Sequence, residues 1–586
     1  MKTNYLLFLI ILSLSFFGCK KENNLTNVEP PNNNQSELGE KLDNPYSMSN
    51  MLNAIQISSN SKDIQPTHLY VRFLPATYED MVTLESDSSL IFSSVPYGYT
   101  NSADLDYYQD PSIPKEQYTW QYAIVDYDYK FPNIKYEILD KIYRPSDDEE
   151  ELENISFNET LDLDLNIQYA ALFSKRYNPK GRILVQNSFG GTVPLRRAAI
   201  QVRTLWWSDV VTTNENGEYY VNRRYKDIPT VRLWNRNYTN KTTQRWTEHA
   251  GFWVSDQLGK GKDFNYTIEY TEGSKRDLWV KATINNAYVI YDDFAKENSI
   301  KRPDNVRTWV FKNSTVGGAP LLHNQSITSY SYYYPAIATE NNENFGSLSA
   351  KTGILALSPL LDVIATVTRQ HKNLPDIIIG TNHKTTSEIY STIFHEAAHY
   401  SHKKDRLTNG YWAQVQYQAL FDKTKGTYGD GSPSPSKYVG VAEAWSHFIE
   451  YELMQKTFPG SFDGFTFTND NKADIRMTAY YRTNYSSTIP SNNDIGATRA
   501  LWIPSGLLRD LIDNDNNNLI LRNGTNYVIV VKSGIDRVSG FTYKEIYELL
   551  TEEVTSIIKL KDKIIKLYPN RNLSNEIKDL FELYGY

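Results

Sequence analysis

His395-Glu396-Ala397-Ala398-His399 combines the residue types and the spacing that activation of a water molecule requires. On a helix, positions i and i+4 share one face and lie about one turn apart. Two imidazoles placed so can reach one metal ion. Glu396 projects beside them, where its carboxylate can take a proton from a water on that metal. With nine histidines in 586 residues such a match is rare by chance, roughly 0.01 per chain of this composition. Four of the nine fall close together: His395, His399, His402 and His447. The competing reading is a helix that carries two hydrogen-bonded surface histidines.

A catalytic zinc needs a third protein ligand and an open fourth position. The only cysteine is Cys19, so neither an intramolecular disulfide nor a cysteine zinc cluster can form, and histidines and carboxylates must hold any metal. A third histidine six residues after His399 is ruled out, because Asp405 stands there and no glycine intervenes. The stretch Val439-Gly-Val-Ala-Glu443-Ala-Trp-Ser-His447-Phe-Ile-Glu450 supplies the alternative. Glu443 sits among Val441, Ala442, Ala444 and Trp445. A carboxylate in such surroundings is costly unless paired, either with a metal or with Lys or Arg. Glu450 is the second candidate ligand. His447, one turn after Glu443, can donate to an oxyanion, hydrogen-bond a ligand, or simply pack. His402 reads as a surface residue or an outer neighbour of the ligands. Tyr480, Tyr481 and Arg482 are conceivable oxyanion stabilisers that no spacing selects.

The motif, the β-like run before it and the capped helix that carries it resemble the zincin arrangement. With Glu443 as third ligand, the pattern is similar to the gluzincins, the thermolysin-like branch of metallopeptidases. That resemblance implies one catalytic Zn2+ held by His395, His399 and Glu443, with Glu396 as general base. It also implies a protein or peptide substrate extended along an edge strand. Gluzincins often have an acidic group where this chain has His447, so the role of His447 stays open. Two other functions compete. One is a surface lipoprotein that binds glycan or protein on an inactive zincin scaffold; the other is a zinc hydrolase acting on something other than peptides.

These residues need elements to position them. Thr385-Thr-Ser-Glu388 is a capping box that opens a helix through about Asp405. Arg307–Phe311 and Pro375–Gly380 read as strands, and Ala282–Glu297 as a helix. Helical patterns follow at 411–424, 438–456, 500–513 and, in pieces, 543–585. Upstream, Gly181–Val185 is a strand. Gly191–Val202 is a loop leading into another, and Val211–Val221 is a hairpin turning at Asn216-Gly217. This order resembles the carboxypeptidase regulatory-like domains, small transthyretin-type β-sandwiches that serve as spacers or adhesion modules. Residues 46–170 contain the alternating runs His68–Leu74 and Trp120–Val125, and an acidic loop, Asp147–Glu151, that offers ligands for calcium but reads first as solvated. This region is similar to the N-terminal segments of surface lipoproteins of the Bacteroidota.

At the N-terminus, Lys2 precedes an apolar run from Tyr5 to Phe17. The run is too short to span a bilayer and suits a signal peptide. It ends at Gly18-Cys19, which resembles the lipobox of bacterial lipoproteins and implies a lipid on Cys19. Residues 20–45 are polar and Pro-containing, a flexible tether. Asp513–Asn517 begins like a calcium loop but has Asn518 where glycine and Gly524 where glutamate are needed, so it reads as an Asx-rich turn.

The expected organisation is multidomain α+β. A signal peptide (1–18) and tether (19–45) precede an N-terminal β-containing domain (46–170), the sandwich (175–268) and a mostly helical zincin-like domain (270–586). The expected location is export with lipid anchoring to the bacterial outer membrane. The net charge of −8 argues against a nucleic-acid partner. No Walker-type phosphate loop is present, and oligomeric state is not readable.

Overall fold

The computed structural model describes residues 37–586 apart from 161–175, 238–243, 248–254, 312–375, 419–430, 467–502, 514–518, 531–536 and breaks of four residues or fewer. The apolar run, Gly18 and Cys19, as well as Tyr480–Arg482 and Asn514–Asn518, lie outside the described residues. No helix among those described is long and apolar enough to cross a membrane.

Helix α1 (Met48–Ile57), which the sequence reading passed over, opens the N-terminal unit. Strand β1 (His68–Leu74) buries every second residue, Leu69, Val71 and Phe73, as its alternation predicts. Helix α2 (Tyr78–Ser86) and strands β2 (Phe92–Ser93), β3 (Gln121–Asp126) and β4 (Lys135–Ile142) complete the unit. The antiparallel sheet runs β2-β3-β1-β4. The acidic stretch is a solvated turn at Asp147 and Asp148 but not beyond. Glu150 and Glu151 begin helix α3 (Glu150–Thr160), where carboxylates favour the N-terminal dipole. Glu149 is bonded by Tyr143 and Ser146 and paired with Lys62.

Ten strands follow in the middle of the chain: β5 (Lys180–Gln186), β6 (Thr192–Pro194), β7 (Ala199–Arg203), β8 (Ser208–Thr212), β9 (Glu218–Tyr220), β10 (Thr230–Trp234), β11 (Arg236–Asn237), β12 (Gln244–Thr247), β13 (Ser255–Lys260) and β14 (Tyr266–Ile268). One sheet has the order β13-β10-β7-β8 and another β14-β5-β6, with β9 beside β5. Their buried faces, Ile183 and Val185 from one and Ile200, Val202, Val231 and Leu233 from the other, join one apolar core. The expected Val211–Val221 hairpin is corrected here. β8 pairs with β7 and β9 with β5, so the Asn214–Gly217 turn carries the chain between sheets. Gly217 takes φ +75, and a Cβ there would stand 2.3 Å from the Ile183 carbonyl oxygen, so the turn can lie directly on β5.

Helix α4 (Arg276–Glu297) starts six residues earlier than the sequence pattern suggested and is buried along almost its whole length. Strands β15 (Arg307–Phe311) and β16 (Ile377–Gly380) pair in parallel. They extend β11 and β12 into a sheet of order β11-β12-β15-β16. Two strands from the range assigned to the sandwich therefore belong to the sheet of the helical region, and the boundary expected near 268–270 is crossed. Among the described residues β16 is an edge strand.

The capping box at Thr385 and Glu388 is formed, and it starts helix α5 (Thr386–Arg406). Its Thr386 hydroxyl accepts from Ser188 N at 2.9 Å, and Thr386 N donates to Ser188 Oγ at 2.8 Å. The β5–β6 loop is thus latched to the first turn of the motif helix. Helix α6 (Ser434–Thr457) packs along α5. Ile389, Ile393, Ala397 and Ala398 of α5 and Val441, Ala442, Trp445 and Ile449 of α6 are buried in one core. Each large side chain contributes about 1.5–3 kcal/mol by leaving water. The small residues let the backbones approach, and Trp445 Nε1 donates to the Ala398 carbonyl at 3.3 Å. The remaining elements are α7 (Ser505–Asp510), α8 (Tyr543–Leu549), α9 (Ile557–Leu567), α10 (Ser574–Leu583) and two short hairpins, β17 (Ser461–Phe462) with β18 (Phe465–Thr466) and β19 (Leu519–Asn523) with β20 (Asn526–Val530).

Gly217 offers a direct test of this topology. Gly217→Ala meets both an unfavourable φ and a backbone clash, and should cost more than about 2 kcal/mol. Gly190→Ala, at φ +97 with nothing within 4 Å, carries the conformational penalty alone and should cost about 1 kcal/mol. Denaturant midpoints of the two variants check the order; equal losses would contradict the crossing turn.

Candidate metal centre

His395 and His399 stand one turn apart on α5, and Glu443, His447 and Glu450 project from the facing side of α6. The Nε2 atoms of His395 and His399 are 3.1 Å apart. Glu443 reaches both, with Oε2 at 3.3 Å from His395 Nε2 and Oε1 at 3.3 Å from His399 Nε2. Around a tetrahedral ion with bonds near 2.0–2.1 Å, adjacent donor atoms lie about 3.3 Å apart. The trio His395, His399 and Glu443 therefore could hold a metal ion. Glu443 is not an ordinary Lys or Arg partner, since among the described residues only imidazoles pair with it.

Glu450 occupies a different place. Its Oε2 takes His395 Nδ1 at 3.1 Å and His447 Nδ1 at 3.2 Å, while Ser391 donates to Oε1. It grips the back of the His395 ring and holds Nδ1 protonated, so that loss of the other proton leaves the Nε2 lone pair facing His399 and Glu443. His395, His447 and Glu450 form a second trio within metal-binding reach, but through the opposite nitrogen of His395. The three hydrogen bonds that Glu450 already accepts favour the first trio. Ser391 and this role for Glu450 were not foreseen. In sequence Ser391 precedes His395 by one helical turn, the single signal that could have marked it.

His447 shares Glu450 with His395 rather than standing apart. With its Nδ1 hydrogen donated to Glu450, its Nε2 presents a lone pair, 3.7 Å from Glu443 Oε2. His402 is not a surface residue, and it stands one turn beyond His399, whose charge acts on it. It is wholly buried and bonds through Nε2 to the Leu550 carbonyl at 2.9 Å, tying α5 to the C-terminal helices. Burial pushes its imidazole down to about 3, so it stays neutral. Glu396 is also buried, at 7% exposure, which excludes an ordinary solvated surface glutamate.

The electrostatics follow from burial and pairing together. Burial pushes the Glu443 carboxyl up, but the facing His399 and His395 imidazoles pull it well below the usual carboxylate range. Burial acts the same way on Glu450, and hydrogen bonds from His395 and His447 overcome it. For His395 burial lowers the value, but Glu443 and Glu450 outweigh it and hold the imidazole well above its usual value. His399 and His447 are lowered by burial. The cluster thus holds two carboxylates and one imidazolium. Glu443 Oε2, His447 Nε2 and His399 Nδ1 are buried and lack a hydrogen bond of good geometry. Unmatched buried polar atoms and surplus negative charge in this donor set suit a divalent cation.

The chain matches no protein-family model and no curated protein.

If the imidazolium proton occupies the place of a cation, metal must displace it. Loading the apo protein with Zn2+ at pH 7 should release about one proton, and affinity should fall as pH is lowered, because the raised His395 value strengthens the competing proton. Calorimetry in buffers of different ionisation enthalpy measures this. Binding without proton release would contradict the charge assignment.

Proposed function

We propose that this chain is an exported, lipid-anchored zinc metallopeptidase that hydrolyses peptide bonds in a protein or peptide substrate. The observation that carries the reading is the donor triangle of His395 Nε2, His399 Nε2 and Glu443, with all separations at 3.1–3.3 Å. The lipobox-like Gly18-Cys19 supports the anchor.

His395, His399 and Glu443 would hold the ion. A bound zinc lowers the pKa of a water and polarises a substrate carbonyl. Glu396, next to His395 on the same buried helix, takes the proton of the attacking water and returns it to the leaving amine. Glu450 keeps His395 in one tautomer throughout, and Ser391 fixes Glu450. β16, an edge strand among the described residues and immediately before α5, is where an extended peptide would add. The near-perpendicular imidazoles of His395 and His399, with ring planes at 82°, are held by packing on both helices.

The test separates metal from chemistry. The purified wild-type chain should contain about one zinc and cleave members of a peptide library. Glu396→Gln should keep the zinc and lose at least about a hundredfold in kcat/KM. Wild-type turnover in that variant would sink the mechanism, and a chain that takes up no zinc would leave the fold as a binding scaffold.

A further inference from the structure

Far along the chain from the motif, the N-terminal unit meets the β-sandwich around a cavity of about 420 Å3. Five cations line it: Arg144, Arg176, Arg223, Arg224 and Lys226. Three carboxylates, Asp147, Glu153 and Asp227, also border it. The cations are not equally satisfied. Buried Glu153 accepts from Arg176 Nε at 2.8 Å and from the Tyr46 hydroxyl at 2.6 Å, and lies 3.3 Å from Lys226 Nζ. Asp147 is 3.3 Å from Arg176 and 3.7 Å from Arg224. Arg223 reaches Asp209, outside the cavity wall, at 3.3 Å.

Arg144 pairs with no carboxylate among the described residues. Its guanidinium lies instead 4.5 Å from the centre of the Trp207 ring, and that of Arg223 lies 5.4 Å from the same ring. Trp207 is itself held edge-on by Tyr46 and His68. Burial disfavours the charged form of Arg144, and it also pushes the Asp227 carboxyl up to about 6, which weakens the one acid that no cation claims. Asp209 and Glu153 act on Arg144 from beyond ion-pair distance, and an anion in the cavity would give this partly buried guanidinium a counter-charge in direct contact. The guanidinium is a planar fork of N–H donors that can give a carboxylate two parallel bonds.

We propose that this cavity is a binding site for the carboxylate of a small molecule of about monosaccharide size, with Arg144 as the residue that grips it. It would give residues 46–170 a recognition role that does not depend on the metal centre. The carboxylate could belong to an acidic sugar or to the free C-terminus of a short peptide.

Calorimetry on the full zinc-loaded chain distinguishes the sources, using glucuronate, N-acetyl-glycyl-glycine, glucose and inorganic phosphate as probes. Saturable binding of glucuronate or of the peptide acid, with none for glucose, supports the proposal, and the tighter of the two names the source. Arg144→Gln should weaken that binding at least tenfold. Arg144→Lys, which keeps the charge and loses the fork, should weaken it at least threefold. Zinc content and unfolding temperature should stay unchanged in both variants. Neither carboxylate binding, phosphate binding as tightly as the carboxylate, or wild-type affinity in Arg144→Gln would overturn it. If Arg144→Gln does not fold, the lysine variant and the phosphate comparison decide.

Discussion

Two carboxylates and three imidazoles buried between a pair of helices cannot coexist without a compensating positive charge. Each carboxylate gives up hydration that is worth several kcal/mol. In this protein Glu443 and Glu450 face His395 from opposite sides, and the imidazolium proton meets part of the deficit. The rest of the structure follows from holding these groups within 3.1–3.7 Å of one another. A slip of α6 against α5 by one residue would rotate Glu443 about 100° away from the imidazoles. The bond from Trp445 Nε1 to the Ala398 carbonyl and the shared apolar core of both helices oppose that slip.

The β-sandwich does more than separate the anchor from the helices. Its β5–β6 loop is bonded to the first turn of α5 through Ser188, and Trp279 of α4 donates to the Gln186 carbonyl at 2.7 Å. Asn286 of α4 bridges Arg196 N and the Pro194 carbonyl, and Arg196 and Arg197 both pair with Asp293. The motif helix is therefore braced at its N-terminus by the sandwich. At its other end, Tyr291 meets Ser401 and Tyr547 bonds the Ser401 carbonyl. With both ends fixed, His395 and His399 have little freedom to turn away from Glu443.

Local signals were legible wherever a single element carries them. The capping box at Thr385 and Glu388 needs only four residues, and it marked the start of α5 correctly. The alternation in β1 and the apolar runs at β15 and β16 are of the same kind. The Val211–Val221 hairpin misled because Asn216-Gly217 specifies a turn and not which strands flank it. Glu218–Tyr220 found a better partner in β5, where Gly217 permits close approach. The acidic stretch misled only in its second half, from Glu150 on. Carboxylates at a helix N-terminus look like a solvated loop until the helix is seen.

The one-turn spacing of His395 and His399, the carboxylate beside them and a buried glutamate in Val439–Glu450 could be read from the sequence. So could the α+β character of the chain, because these depend on local periodicity. The division of labour between Glu443 and Glu450 could not, since both stand on one helix with similar neighbours. Only the packing of α6 against α5 decides that Glu443 meets the Nε2 edges and Glu450 the Nδ1 edge. The burial of His402 against Leu550, 148 positions away, and the latch between Ser188 and Thr386, 198 positions apart, are tertiary for the same reason. Hydrogen bonds and ion pairs act over a few ångströms, and sequence periodicity has no term for partners that only folding brings within that reach.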